Sequence, residues 1–238
     1  MHQYKSLKRS LSVLRLLGIL FILLVLFPGC GAKKSEDSKT KSNQPQKQER
    51  KPDIESVFKS DLQRFGNYLD SAFSQFPELP TEIKNSLDTV HVTYKTPHDG
   101  LHKGVLILHA SLKEDIRSVF EKLLELGYPV HSILPMSQFN WDDMESMRLN
   151  NTSMFNFRRV MGTRKFSDHA YGRALDINPM ANPYFKFGKM LPENGYYECD
   201  SVQSICSTDT VVALFKSYNW NWGGYWKFER DYQHFYKR

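Results

Sequence analysis

The stretch Ser167-Asp168-His169-Ala170-Tyr171-Gly172-Arg173-Ala174-Leu175-Asp176-Ile177-Asn178-Pro179 constrains this chain more than any other. It sets an imidazole and a carboxylate seven positions apart, with a glycine between them. A helix would bring both onto one face, but Gly172 in the middle and Asn178-Pro179 at the end oppose a helix. The pattern predicts a turn at Gly172 and a short strand from Arg173 to Asn178. Strand alternation then puts Ala174, Asp176 and Asn178 on one face and sends Leu175 and Ile177 into a core. His169, ahead of the turn, folds back toward Asp176. Near the end of the chain Asp231 precedes a second imidazole, His234, by three residues. Two imidazoles and a carboxylate form a ligand set that leaves one position of zinc open to water. A spare carboxylate beside that water is the proton acceptor a hydrolase needs. One His and one Asp at this spacing also describe a surface histidine and a strand-end aspartate, so the pair by itself leaves both readings open.

A formal charge of +6 over 238 residues raises a nucleic-acid-binding class, and the charge distribution removes it. The first 52 residues carry 11 Lys/Arg and 3 Asp/Glu, leaving 21 basic and 23 acidic residues from Asp53 onward. The folded part is nearly neutral, so no nucleic-acid partner is expected. The basic segment reads as targeting instead. Lys5, Lys8, Arg9 and Arg15 precede an apolar run of 12 residues, Leu16 to Phe27, too short to span a bilayer comfortably and suited to a signal segment. Phe27-Pro28-Gly29-Cys30 is similar to a bacterial lipoprotein processing site, although Phe27 and Pro28 depart from its aliphatic and small residues.

Residues 1–29 are therefore expected to be a lipoprotein-type signal peptide. Lipid on Cys30 would anchor an exported, monomeric protein to a bilayer facing the periplasm or the cell surface. An ordinary secretory signal and an uncleaved anchor are the alternatives. Residues 30–52 contain one aliphatic residue beyond Cys30, Ala32, and are expected to form a disordered tether. The 22 residues from Gly31 to Pro52 would reach about 25 Å as a flexible coil. With Cys30 lipidated, Cys199 and Cys206 are left to pair across a short loop, with two free thiols as the alternative.

Residues 53–80 carry Ile54, Val57, Phe58, Leu62, Phe65, Leu69, Phe73 and Phe76 at helical spacing, an amphipathic helix ended by Pro77 and Pro80. Residues 81–238 form the expected catalytic domain. Within it, His91–Lys95, Gly104–His109 and Pro129–Leu134 read as strands. Ser111-Leu112-Lys113-Glu114 reads as a capping box opening a helix that Gly127 closes. Further helices are expected around Asp142–Leu149 and from Thr208 to Tyr218, the latter capped by Ser207 or Thr208. The order predicts an α+β fold: a small, mainly antiparallel sheet with helices packed on one side. His91, His98, His102, His109 and His131 have no carboxylate or cysteine at a metal spacing. Aromatic walls from Trp220, Trp222 and Trp226 would lower the dielectric around His234.

Several separated motifs share one order. They are Ser167-x-His169-x-x-Gly172-x-Ala174-x-Asp176, Asn178-Pro179, Asn182-Pro183-Tyr184, Trp222-Gly223-Gly224 and Asp231-Tyr232-Gln233-His234-Phe235. Together they resemble the zinc peptidases that cut peptidoglycan stem peptides, which include D-alanyl-D-alanine carboxypeptidases and L-alanyl-D-glutamate endopeptidases. Asn150 to Arg158 resembles a further segment of one branch, with Phe157 in place of a common cysteine. The resemblance, from about Gly104 to Phe235, implies one zinc ion held by His169, Asp176 and His234. It implies Asp231 as general acid and base, and Arg158 as the cation steadying the oxyanion, with Arg159 adjacent. Ser167 and Tyr171 are implied either as substrate contacts or as structural groups. The implied activity is hydrolysis of a stem-peptide bond, endopeptidase-like or D,D-carboxypeptidase-like. The competing expectation is a lipoprotein that binds peptidoglycan without cutting it.

Overall fold

Alternating apolar residues build the first layer: Leu87–Lys95 (β1) pairs antiparallel with Leu101–His109 (β2), from Leu87 opposite His109 to Lys95 opposite Leu101. The computed structural model describes residues 67–98 and 100–238. The expected signal, Cys30, the tether and the first part of the N-terminal helix lie outside the described residues. The rest of that helix is α1, Tyr68–Gln75, capped by the Asn67 side chain, which accepts from Asp70 N–H at 2.8 Å. Pro80 opens a further short helix, α2, Thr81–Ser86.

The main core forms between this hairpin and α3, Lys113–Glu125. Ile116, Val119, Phe120 and Leu123 recur at three- and four-residue steps, so one stripe of α3 meets Val90, Val92, Tyr94, Leu106 and Leu108. Leu175, Ile177, Phe215, Trp222 and Phe235 complete this core from the other side of the domain. A smaller cluster joins Ala72, Leu79, Ile83 and Leu87 to Phe155. The remaining helices are α4, Asp143–Arg148, and α5, Thr210–Ser217.

The α+β class and the antiparallel pairing are as expected, with the strands distributed over three small sheets. Beside the β1–β2 hairpin, Ala174–Asp176 (β3), His234–Tyr236 (β8) and Asn221–Trp222 (β6) form one sheet in the order β3-β8-β6. Tyr184–Lys186 (β4), Lys189–Leu191 (β5) and Arg230–Asp231 (β7) form the other, in the order β5-β4-β7. These strands have only two or three residues, too few to extend one continuous sheet.

Four local expectations change. Pro129–Leu134 makes one isolated bridge, Ser132 to Asn151, because Asn151 and Asn178 side chains take the backbone groups a neighbouring strand would take. The capping box at Ser111 does not form. A 3-10 turn at Ala110–Leu112 precedes α3, and the His109 ring accepts from Ser111 N–H. Asp209, rather than Ser207 or Thr208, occupies the N-cap position of α5, and its carboxylate accepts from Cys206 N–H at 2.5 Å instead of from the helix. The strand after Gly172 ends at Asp176, because Asn178 turns to φ +45° and spends its side chain on His131 N–H and Pro129 C=O. The Cys199–Cys206 disulfide is formed.

Gly172 has the role its position implied. It sits at φ +62°, and a Cβ there would lie 2.5 Å from His109 N and 2.7 Å from the Leu108 carbonyl carbon. Both the left-handed conformation and the rigid backbone neighbour oppose a side chain. Gly172→Ala is expected to destabilise the domain by roughly 3 kcal/mol, strain and overpacking together. Urea unfolding with an unchanged m-value checks this.

Candidate active site

The site begins with the turn that returns His169 to Asp176. Ser167 opens a 3-10 turn, Asp168–Tyr171, by accepting from His169 N–H at 3.3 Å, and Gly172 closes it. Beyond it, β3 presents Asp176 directly opposite His234 of β8. Leu175 and Ile177 enter the core, as alternation requires.

The segment Asn150–Arg158 holds this arrangement from behind. Ser153 exchanges both backbone hydrogen bonds with Asp176, at 2.9 and 3.1 Å. Met154 C=O lies 2.5 Å from His169 Nδ1, so that nitrogen donates and Nε2 turns its lone pair inward. Asn156 N–H donates to His169 C=O, Thr152 Oγ1 accepts from Asn178 N–H, and Asn150 Oδ1 accepts from Met180 N–H. This motif is the scaffold that orients two of the candidate ligands.

Three donor atoms converge as a result. Asp176 Oδ2 lies 3.1 Å from His169 Nε2, and Asp176 Oδ1 lies 2.9 Å from His234 Nδ1. The two ring nitrogens are 3.2 Å apart. All three side chains are buried, with ligand atoms within 4.8 Å of one another, and no other such group occurs among the described residues. His91, His98, His102, His109 and His131 lie outside it. Two nitrogens and one carboxylate oxygen, each directed at the others rather than at ordinary hydrogen-bond donors, fit a divalent cation. The electrostatics agree. Burial raises the Asp176 pKa, yet the charges and hydrogen bonds of His169 and His234 outweigh it and hold the carboxyl well below its usual range. Burial lowers the His169 pKa, and Asp176 more than reverses this.

Asp231 adjoins these donors without being one of them. It is buried, and its Oδ1 has no hydrogen-bond partner among the described residues. Burial first, and then the charge of Asp176, push its carboxyl up to about 8, against the opposing pull of His234 and Arg158. A cation among the three donors would restore ionisation, the condition for accepting a proton. Gly223 allows this approach: a Cβ there would lie 2.6 Å from Asp231 C=O and 2.9 Å from Asp231 Cβ.

A cleft of about 250 Å³ opens over these groups. One wall is α4 with the loop from Arg158 to Met161, and the other comprises Tyr184, Lys186, Leu191, Trp226 and Glu229. Arg158 enters the cleft and is held by Asp143 at 2.9 Å. Arg159 is exposed, with its guanidinium stacked over Phe166 at 4.5 Å and donating to Arg164 C=O. Only Trp226 of the three tryptophans lines the cleft, since Trp220 and Trp222 belong to the core. Ser167 lines it too, whereas Tyr171 points outward with its ring edge toward Phe166. Asp143, Glu229, which accepts from Tyr184 OH at 2.7 Å, and the neighbouring Lys186 had no motif to mark them.

Residues 161–237 match the D-alanyl-D-alanine carboxypeptidase family model. The matched segment contains His169, Asp176, Asp231 and His234, and it supports the resemblance to metal-dependent peptidases read from the motifs. Arg158 and the Asn150–Asn156 scaffold lie before it. No curated protein and no solved structure matches the chain.

Proposed function

We propose that this chain is a zinc-dependent hydrolase of a peptide bond in peptidoglycan stem peptides. Either an L-alanyl-D-glutamate endopeptidase-like or a D-alanyl-D-alanine carboxypeptidase-like activity fits this reading. One observation carries it: His169, Asp176 and His234 converge in an open cleft beside a buried, unpartnered Asp231 oxygen. Zinc bound there would supply Lewis acidity toward the scissile carbonyl and acidify a water molecule.

The protein groups do the rest. Asp231 Oδ1 accepts the proton of the attacking water and returns it to the leaving amine. Arg158, fixed by Asp143, places positive charge where the oxyanion develops. Met154 C=O keeps His169 in the tautomer that leaves Nε2 available. Digestion of purified muropeptides followed by mass spectrometry tests the proposal and identifies the bond. Chelator-sensitive release of stem-peptide fragments or D-Ala is expected. Zinc-loaded protein that binds muropeptides but releases nothing would point to the non-catalytic alternative.

The Arg158–Asp143 pair supports Arg158 over Arg159 as the oxyanion partner. Arg158→Met is expected to lower kcat by roughly 10²-fold. Arg159→Met should change it less than about threefold, because an exposed guanidinium is screened by solvent. Steady-state kinetics on one defined muropeptide separates the two.

The same proposal places the domain outside the cytoplasm, on a lipid carried by Cys30. It rests on the apolar run Leu16 to Phe27 and on Gly29-Cys30. No helix among the described residues is long and apolar enough to cross a membrane. Metabolic labelling with a fatty acid should mark the wild-type chain and not Cys30→Ser.

A further inference from the structure

Gln233 lies in the chain between Asp231 and His234, both with assigned roles, and has none of its own. Its residue is only 1% exposed, yet its side chain lines the cleft beside Asp231 and His234. Its Oε1 has no hydrogen-bond partner among the described residues. A buried carboxamide oxygen left unpaired costs about 1–3 kcal/mol. The backbone of Gln233 does not share this condition, since its C=O accepts from Ile177 N–H at 3.1 Å and fixes the residue against β3. The side chain is thus held at the lining of the cleft by its own main chain, with Oε1 buried and unpaired.

We infer that Gln233 is a substrate-binding residue, whose carboxamide oxygen accepts a hydrogen bond from a backbone N–H of the bound peptide, close to the scissile bond. This rests on the peptidase reading above and adds a recognition element to it. A carbonyl-type acceptor selects an amide N–H and gives no favourable contact to an ester or an N-methylated amide at the same position. Neighbouring groups narrow the choice further. Asp231 is committed to proton transfer and Arg158 to a developing negative charge, so neither supplies a neutral acceptor. Gln233 does.

The test is a substrate scan against two proteins, zinc-loaded wild type and zinc-loaded Gln233→Met, a substitution close in volume and without the amide. A stem peptide is compared with analogues N-methylated at one backbone amide at a time, reading kcat/KM and, by calorimetry, affinity. For one amide, wild type is expected to lose at least tenfold on methylation while Gln233→Met loses less than threefold. On the unmodified peptide the variant should fall at least tenfold below wild type, with zinc content and Tm retained. Equal sensitivity of both proteins at every amide overturns the inference, as does unchanged affinity and kcat/KM in Gln233→Met. If Gln233→Met does not fold, Gln233→Asn, which withdraws the same amide by one methylene, carries the scan. Wild type that binds the peptides without cutting them refutes the hydrolase reading alone, because the affinity arm still reports the Gln233 contact.

Discussion

Asp231→Asn is expected to retain a full complement of zinc and to lose about 10³-fold in kcat. The two statements belong together. Asp231 is not among the converging donors, so its replacement leaves the candidate ligands and their backing from Met154 and Ser153 untouched. What disappears is the buried acceptor beside them, and asparagine of the same shape cannot take a proton. The variant also has a stability signature. In the metal-free chain burial pushes the Asp231 carboxyl up to about 8. A carboxyl raised in the folded state costs stability as pH rises from the usual carboxylate range toward that value, because the unfolded chain ionises first. Metal-free Asp231→Asn should therefore melt at or above the wild-type temperature at neutral pH. Metal analysis, calorimetry and muropeptide turnover on one preparation check all three parts. Retained turnover would remove Asp231 from the proton-transfer role.

Asp176→Ala should fail in the opposite way. The carboxylate lies 3.1 Å from one buried imidazole and 2.9 Å from the other, and its two oxygens are what bring the rings together. Zinc affinity is expected to fall more than about 100-fold, beyond what loss of an outer partner costs. The metal-free chain should lose roughly 3 kcal/mol as well, because the imidazoles lose the charge that compensates their burial. Competition with a chromogenic chelator and denaturant unfolding measure the two losses separately. A variant that still holds stoichiometric zinc after dialysis would show that the ion sits elsewhere.

Much of this site was legible along the chain because its first half is local. Gly172 has to turn, so His169 and Asp176 are neighbours through a few residues of covalent structure, and the strand period sends Leu175 and Ile177 to the core. The α3 stripe was legible for the same reason. Local signals failed where a side chain from elsewhere competed for backbone groups. Asn178 ends its own strand and, with Asn151, replaces the partner expected for Pro129–Leu134. The His109 ring takes the Ser111 N–H that a capping box would give to the Glu114 carboxylate. Asp143 carries no spacing signal toward Arg158, because the two approach only when α4 packs beside the loop.

Residue order alone determined which side chains could serve as ligands, and that one pair of them meets across a glycine turn, since turn geometry and strand alternation act over neighbouring residues. Only the tertiary structure decided that Arg158 rather than Arg159 is held by Asp143, that Trp226 alone of its tryptophan neighbours lines the cleft, and that Gln233 lines it with a buried, unpaired Oε1. Those outcomes depend on burial and on partners distant in the chain, which spacing between residues does not encode.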